Sequence, residues 1–455
     1  MLSVDNARLS TLLLIWIVAV AALAIARWWR RIPGTGLVLA YVLNLWLIHW
    51  VAPALYLVPD YHNFDQRMVE DGLEQSVYAI VAFALGSLFL APLVLNAGIL
   101  PKATACETPD RNLPRSYVAV GAMSYVILSL GVSQLPSATA IFSTGQQLVV
   151  VGLALCCWYC WQMRTFRRLA FWLALTLSLP FATMITRGFI GYGAVATVSV
   201  LIFLSGLVKA RWKVLLAGAL LAYLGISVYV TYMRDRDQIR EAVWGGFSFQ
   251  ERFGQVASTF SHFEWFDVTD LDHLASVDRR LNQSYLLGLA VSRLSDIGGY
   301  AYGETLWEAL LAMVPRAIWP DKPIEAGSGN MVSEYTGLTF AEGTSVGIGH
   351  VMEFYVNFAT IGVVTGFLVM GLIVTVLDSA AAERLALNDL HGFVLWYLPG
   401  ISLLQVGGVL VEVTCSAAAS VCVATLANKC LARLQRKMAE RRQAAAGFSP
   451  RPVET

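Results

Sequence analysis

The chain has 455 residues, of which 57% are hydrophobic and only 14% are charged. A soluble core of this size does not need so much apolar sequence, so the composition indicates a polytopic membrane protein. The net charge of +1 gives no argument for nucleic-acid binding. The seven cysteines lie in apolar runs or in predicted inner loops, which gives no sign of a disulfide framework.

Eleven apolar stretches are predicted to cross the membrane, each about 17–25 residues long. The first has no signal-peptide cleavage site in context, so it is expected to stay in the protein. The last apolar run, 393–428, is broken near Gly407, Gly408 and Glu412, and we interpret it as two short helices joined by a tight turn. The other nine stretches are 9–27, 36–57, 75–97, 116–132, 146–163, 169–186, 189–207, 212–232 and 351–377.

Lysine and arginine are concentrated in the loops after the first, third, fifth and seventh spans, which predicts that these loops face the cytoplasm. The fold class is therefore an all-α polytopic membrane protein with one long extracytoplasmic loop. The predicted domains are a membrane bundle at 1–232, an extracytoplasmic helical loop subdomain at 233–349, a second membrane bundle at 350–430 and a basic cytoplasmic tail at 431–455.

Arg187 is the most informative single residue because arginine is scarce on the predicted outer side. It lies between two spans in the segment PFATMITRGFIGYG, where Gly188 frees the backbone for close approach to a ligand. A guanidinium at headgroup level can hold a phosphate through two parallel hydrogen bonds. The alternative is an interfacial arginine that reaches to lipid phosphate.

Three further arginines on the predicted outer side are candidates for substrate binding. Arg234 and Arg236 lie in YMRDRDQIR after the eighth span, where alternating charges equally fit a self-paired helix start. Arg293 follows an apolar helical face and either caps packing or points into a site. The acidic segment HFEWFDVTDLDH meets no recognised ligand spacing, so no metal is expected.

The stretch 314–362 carries the remaining candidates. Arg316 and Lys322 lie on a loop that prolines stiffen, which suits a surface that holds an anion. His350 and Glu353 are three residues apart on one face of a helix that is predicted to enter the membrane. Either could be a catalytic base that takes a proton from a sugar hydroxyl, or both are only hydrogen-bonded within the bundle mouth.

These features together resemble the O-antigen and exopolysaccharide polymerases of bacterial envelopes, the Wzy-type oligosaccharide repeat unit polymerases. The resemblance rests on the Arg187-Gly188 pair, on the loop segment PRAIWPDKP, and on the run G-x-x-x-E-F-Y-x-N-F from Gly349 to Phe358. This family commonly has glycine before its glutamate and after its Asn-Phe pair, where this chain has Met352 and Ala359.

The resemblance implies a GT-C-like glycosyltransferase of the bacterial inner membrane, with no cofactor. Such an enzyme transfers a growing glycan from undecaprenyl pyrophosphate to the hydroxyl of a lipid-linked repeat unit on the outer leaflet. Arginines aimed at the departing pyrophosphate would stabilise it without a metal. The implied partners are undecaprenyl-pyrophosphate-linked oligosaccharides and membrane lipids, with a chain-length regulator and a flippase as further candidates, and no nucleic acid.

Two alternatives remain open. An O-antigen ligase would use the same donor with a lipid A-core or protein acceptor, and the sequence barely separates it from a polymerase. A transporter or lipid flippase would have broken helices with polar residues at mid-membrane, whereas the first eight spans carry few charges.

Overall fold

The computed structural model describes residues 6–106, 110–130, 136–208, 211–314, 318–319, 328–340 and 346–446. The chain is 79% helix, and the described ranges contain no strand, so the all-helical class is confirmed. A short π-helical turn, Gly86–Leu90, separates α4 from α5. The α-helices in these ranges are α1 Ala7–Trp29, α2 Leu37–His49, α3 Val51–Leu55, α4 Gln66–Leu85, α5 Ala91–Asn96, α6 Leu113–Ser129, α7 Pro136–Gly145, α8 Leu148–Gln162, α9 Phe166–Leu177, α10 Leu179–Arg187, α11 Gly191–Ser205, α12 Arg211–Arg234, α13 Arg236–Trp244, α14 Phe249–Ser261, α15 Leu271–Leu281, α16 Gln283–Ile297, α17 Glu304–Ala312, α18 Ser328–Thr336, α19 Gly349–Ala386, α20 Leu390–Ser402 and α21 Leu410–Ala446.

Many of these helices are apolar enough to lie in a lipid bilayer, which makes this a helical multi-pass membrane protein. Three shorter apolar helices add to the bundle, namely Leu37–His49, Leu113–Leu128 and Gly191–Ser205. The count of eleven crossings therefore stays a prediction. Seven helical stretches within the described ranges are long enough to span: Ala7–Trp29, Gln66–Asn96, Ile141–Gln162, Phe166–Arg187, Trp212–Arg234, Gly349–Ala386 and Leu410–Met438.

A buried ion pair holds the predicted inner end of the bundle together. Arg27 at the end of α1 donates from Nη2 to Asp378 Oδ2 at 2.8 Å, and Asp378 is only 1% exposed. The other carboxylate oxygen accepts the backbone N–H groups of Thr35 at 2.6 Å and Leu37 at 3.0 Å, so it also caps the start of α2. Removing one member of such a pair leaves an uncompensated buried charge.

The segments that are predicted to face the cytoplasm meet at one end of the fold. Arg384 near the end of α19 donates to the carbonyl oxygen of Pro101 at 2.6 Å, and the Cys106 N–H donates to Leu387 at 2.9 Å. Gln435 of α21 donates to Asp110 just before α6. Loops far apart in the sequence therefore form one surface.

The predicted span at 351–377 is not one continuous helix. Phe358 and Ala359 have non-helical backbone angles, and a Cβ on Gly362 would lie 2.2 Å from the carbonyl oxygen of Phe354. Eight residues of straight helix would separate these groups by about 12 Å, so 349–357 folds back against the rest of α19. Residues 360–386 alone measure about 40 Å, which is enough to cross a membrane.

The predicted outer loop packs directly on the membrane helices. A Cβ on Gly72 of α4 would lie 1.9 Å from the carbonyl oxygen of Ser284, and one on Gly288 would lie 1.7 Å from that of Met68. Only glycine allows the backbones of α4 and α16 to approach this closely. Helix α16 is thus part of the wall of the bundle, and the boundary of a separate loop subdomain stays a prediction.

The break that was predicted in the last apolar run lies at 403–409, between α20 and α21, and it contains Gly407 and Gly408. Glu412 belongs to the first turn of α21. Helix α21 has 37 residues, so it is not the short helix that the sequence suggested.

Candidate functional site

Three helix ends meet inside the bundle, at residues 283–284, 347–353 and 403–410, and we call this place the helix-end junction. The His350 N–H donates to the carbonyl oxygen of Val406 at 2.9 Å. Gln283 at the start of α16 donates to the carbonyl oxygens of Gly347 at 3.4 Å and Gly407 at 3.3 Å. A Cβ on Gly347 would lie 1.9 Å from the Gly407 oxygen, so side chains there would block this contact.

Glu353 lies in the junction with a wholly buried side chain. Its Oε2 accepts the backbone N–H of Leu410, the first residue of α21, at 2.6 Å. The N-terminus of a long helix favours negative charge, which explains why a carboxylate is placed here. Thr305 lies beside this carboxylate, yet Oε1 has no hydrogen bond of ordinary geometry within the described residues.

Two buried histidines belong to the same region. His350 shares a hydrogen bond through Nδ1 with the hydroxyl of Tyr41 at 2.9 Å, and His49 shares one through Nδ1 with Ser284 at 3.2 Å. They are 0% and 1% exposed, and they lie within electrostatic reach of each other. The Nε2 atoms of both rings have no partner within the described residues.

The junction therefore contains four buried polar atoms without a hydrogen bond to any described residue: Nε2 of His49, Nε2 of His350, Oε1 of Glu353 and Oε1 of Gln283. Buried polar groups in proteins are nearly always paired, and ionisable groups inside a membrane bundle are rare unless they are used. This cluster of buried polar atoms makes the junction the first candidate site. Its polar atoms can accept protons or bind a polar ligand.

Asn357 completes the motif around Glu353. Its Nδ2 donates to Thr305 Oγ1 and to the carbonyl oxygen of Glu353, both at 2.7 Å, and its Oδ1 accepts the Gly303 N–H at 2.8 Å. Both polar atoms of the Asn357 side chain are therefore used in hydrogen bonds inside the protein. Its role is structural, because these bonds connect the start of α17 to the folded-back part of α19.

Arg187 is a second candidate site, at the predicted outer end. Its Nη2 donates to Gln146 Oε1 at 2.6 Å, and the guanidinium lies 4.8 Å from the ring centre of Tyr125 and 5.7 Å from that of Tyr192. No carboxylate lies within ion-pair distance in the described ranges. The side chain is thus held in one place by neutral groups, and its positive charge is uncompensated.

Arg240 of α13 lies on the other side of the same turn; it is the last residue of the charged segment YMRDRDQIR, but it was not among the predicted binding residues. A Cβ on Gly188, whose φ is +74°, would lie 3.3 Å from Arg240 Cγ. The Arg240 guanidinium lies 4.5 Å from the ring centre of Phe189 and 5.2 Å from that of Trp244, and its Nε has no partner in the part of the chain that is described. Two uncompensated guanidinium groups therefore flank the Gly188 turn.

The other predicted arginines have different surroundings. Arg234 is committed to the protein itself, since it bonds Asp235 at 2.9 Å and Glu264 at 2.6 Å. The Arg234 guanidinium holds the pKa of the Asp235 carboxyl below its usual value. Arg236 is 3.8 Å from the exposed carboxylate of Asp237, a weak contact. Arg293 is exposed beside Gly337 at the end of α18.

Two predicted residues, Arg316 and Lys322, lie outside the described residues. In the acidic segment, the Asp270 side chain caps α15 by accepting the N–H groups of Asp272 and His273. Within the described ranges, no group of three or more His, Cys, Asp or Glu side chains is arranged to hold a metal ion.

The structure places His350 with Glu353, and Arg187 with Arg240, but it does not bring these two pairs into contact. Two hydrogen bonds of neighbouring glutamines lie between them. Gln146, which binds Arg187, is followed by Gln147, whose Oε1 accepts the Ser402 hydroxyl at 3.0 Å. Ser402 is the last residue of α20, directly before the 403–409 connection of the junction.

Sequence reasoning missed two residues that the structure adds to these sites, Tyr41 and His49, and it noted Arg240 only as part of the charged segment YMRDRDQIR, without a binding role. A histidine inside an apolar run such as 36–57 is itself a signal, because ionisable residues in membrane spans are usually functional. Tyr41 had no such signal, since its partner is distant in the sequence.

No protein-family model, curated protein or solved structure matches the chain.

Proposed function

We propose that this protein is a membrane glycosyltransferase that joins undecaprenyl-pyrophosphate-linked repeat units into a polysaccharide on the outer face of the bacterial inner membrane. The observation that carries this proposal is the pair of guanidinium groups at Gly188. Among the described residues, Arg187 and Arg240 contact only neutral and aromatic partners, so each keeps its positive charge for a ligand. A pyrophosphate is a ligand of matching charge and hydrogen-bonding geometry.

In the proposed reaction, the acceptor hydroxyl attacks the anomeric carbon of the donor sugar. A bond forms between the acceptor oxygen and this carbon, the bond from the carbon to the pyrophosphate oxygen breaks, and undecaprenyl pyrophosphate leaves with the electron pair. The arginines stabilise the charge that develops on the leaving group. Arg316 and Lys322 of the predicted outer loop are further candidates for this role.

Glu353 is the preferred base for the proton of the acceptor hydroxyl, because its Oε2 accepts the Leu410 N–H while Oε1 has no hydrogen bond of ordinary geometry within the described residues. His350 is the alternative base through Nε2, which likewise has no partner in the described ranges. Both side chains are fully buried, so either assignment requires the junction to open when substrate binds. The connection 403–409 is the segment that would move, since Val406 in it accepts the His350 N–H and Leu410 directly after it donates to Glu353.

One structural observation favours a second candidate, a transporter of lipid-linked sugars. Helix α19 is broken at Phe358 and Ala359, and unpartnered polar atoms lie beside its folded-back part. Broken helices with polar groups inside the membrane are typical of secondary transporters. The same break is compatible with an enzyme that must admit a sugar to a buried base.

The deciding experiment is reconstitution of the purified protein in proteoliposomes with a synthetic undecaprenyl-pyrophosphate-linked repeat unit. A polymerase converts this substrate to longer lipid-linked glycans, which mass spectrometry of the extracted lipids detects. Movement of the intact substrate across the bilayer without elongation would refute the polymerase and support the transporter.

The same assay tests the arginine pair. Arg187→Lys and Arg240→Lys should each lower the rate about a hundredfold, because lysine lacks the planar fork that bonds two phosphate oxygens. Arg67→Lys is the matched control, since Arg67 is exposed on the predicted outer side and forms no ion pair in the described ranges. Near-normal elongation by both lysine variants would remove the pyrophosphate-binding role.

A further inference from the structure

A cavity of about 290 Å³ opens at the predicted inner end of the bundle, between α6, α8 and α9. Its lining residues belong neither to the helix-end junction nor to the arginine pair at Gly188. Its polar lining comes from three arginines, a tyrosine and a threonine, and the described part of its wall contains no acidic residue. These polar residues are Arg111, Arg115, Arg168, Tyr159 and Thr165.

None of the three arginines in this cavity forms an ion pair within the described residues. Asp110, the described carboxylate nearest to them in the sequence, accepts the Asn112 N–H at 2.8 Å and a hydrogen bond from Gln435, and it forms no ion pair with these arginines. By contrast, Arg30 at the same end donates to the carbonyl oxygen of Leu88 at 2.6 Å and packs on the ring of Phe89.

The start of α9 adds to this charge. Thr165 is the residue before the helix, and its side chain does not cap the helix N–H groups, because its hydroxyl donates to the Cys160 carbonyl at 3.4 Å. The start of α9, with the partial positive charge of a helix N-terminus, therefore lies in the wall of a cavity that three exposed arginines also line. The rest of the lining is apolar, with Met163 and Trp172.

We propose that this cavity binds a phosphate group. Arginines together with helix N–H groups recognise phosphate oxygens, and the cavity is large enough for a phosphate ester. Its apolar lining and its place at the predicted membrane surface suit the headgroup of an anionic phospholipid of the inner leaflet. A soluble phosphate ester has the same chemistry, and the experiment separates these two sources.

The test uses native mass spectrometry of the full-length protein, released from mixed vesicles of phosphatidylglycerol and phosphatidylcholine. The pocket variant is Arg111→Gln/Arg115→Gln/Arg168→Gln. The control variant, Arg433→Gln/Arg436→Gln/Lys437→Gln, removes the same charge from the basic tail on the same predicted side. Retention of phosphatidylglycerol should fall about tenfold or more in the pocket variant and remain within about twofold in the control.

A second arm titrates inorganic phosphate into lipid-depleted protein and records its melting temperature. If phosphate raises the melting temperature of the wild type but not of the pocket variant, the phosphate site is supported. If the wild type also fails to retain phosphatidylglycerol, the site is assigned to a soluble phosphate ester. The proposal is overturned if the pocket and control variants retain phosphatidylglycerol equally and phosphate does not change the melting temperature of the wild type. If the triple variant does not fold, Arg115→Gln alone decides by the same two measurements.

Discussion

The fold-back of α19 makes a sharp prediction about Ala359, because its backbone angles are φ +51° and ψ −146°. This region is almost restricted to glycine, and an alanine held there costs about 1–3 kcal/mol. Glycine at this position relieves the strain but loses about 0.5–1 kcal/mol through the entropy of the unfolded chain. Ala359→Gly should therefore stabilise the protein by about 1 kcal/mol.

The matched control is Ala382→Gly, which places glycine in the regular helical part of α19 and should destabilise by about 1 kcal/mol. The measurement is the apparent melting temperature of the detergent-purified protein, followed by tryptophan fluorescence. Ala359→Gly should melt above the wild type, and Ala382→Gly below it. If both glycine variants are destabilised to the same extent, the chain is helical through Ala359 and the fold-back is wrong.

Three further predictions concern stability and topology. Asp378→Asn should destabilise the protein by about 3 kcal/mol. The double variant Asp378→Asn/Arg27→Gln should lose less stability than the sum of the two single variants, which a double-mutant cycle of denaturation midpoints measures. Because Arg234 lowers the pKa of Asp235, the carboxylate stabilises the fold above its unfolded pKa, and this contribution is lost as the pH falls below about 4. Asp235→Asn should therefore lower the melting temperature more at pH 7 than at pH 3, and an equal effect at both values would contradict the ion pair. A reporter fused after Arg164 should be cytoplasmic and one in the predicted outer loop external; access to Arg164 from outside would overturn the orientation.

Much of the fold was predictable because membrane helices depend on local composition. The apolar runs locate the helices, and Gly407 and Gly408 locate the break between α20 and α21. The break in α19 was not predictable by the same means. The apolar run continues through Phe358, and alanine is a good helix former, so the local sequence predicts a helix through Ala359. Its non-helical backbone angles appear only in the folded protein, where 349–357 packs back against the rest of α19.

The candidate sites, too, were predictable in part from the sequence. Arg187 was predicted from its rarity on the outer side and from the adjacent Gly188, which does adopt a left-handed conformation at φ +74°. Arg240 was visible in the charged segment YMRDRDQIR, but its place beside Gly188 was not predictable, because that contact joins residues about fifty positions apart. His350 and Glu353 were predicted at the mouth of a span, whereas their complete burial results from the fold-back and from the connection 403–409.

The ion pair between Arg27 and Asp378 also constrains how the protein is made. The two residues are 351 positions apart, so the end of the first helix is synthesised long before its partner. At typical rates of translation, roughly 20–70 s pass between them. During this interval the Arg27 charge must be accommodated by lipid headgroups or by the insertion machinery. The inner end of the bundle can close only after the last third of the chain has begun to enter the membrane.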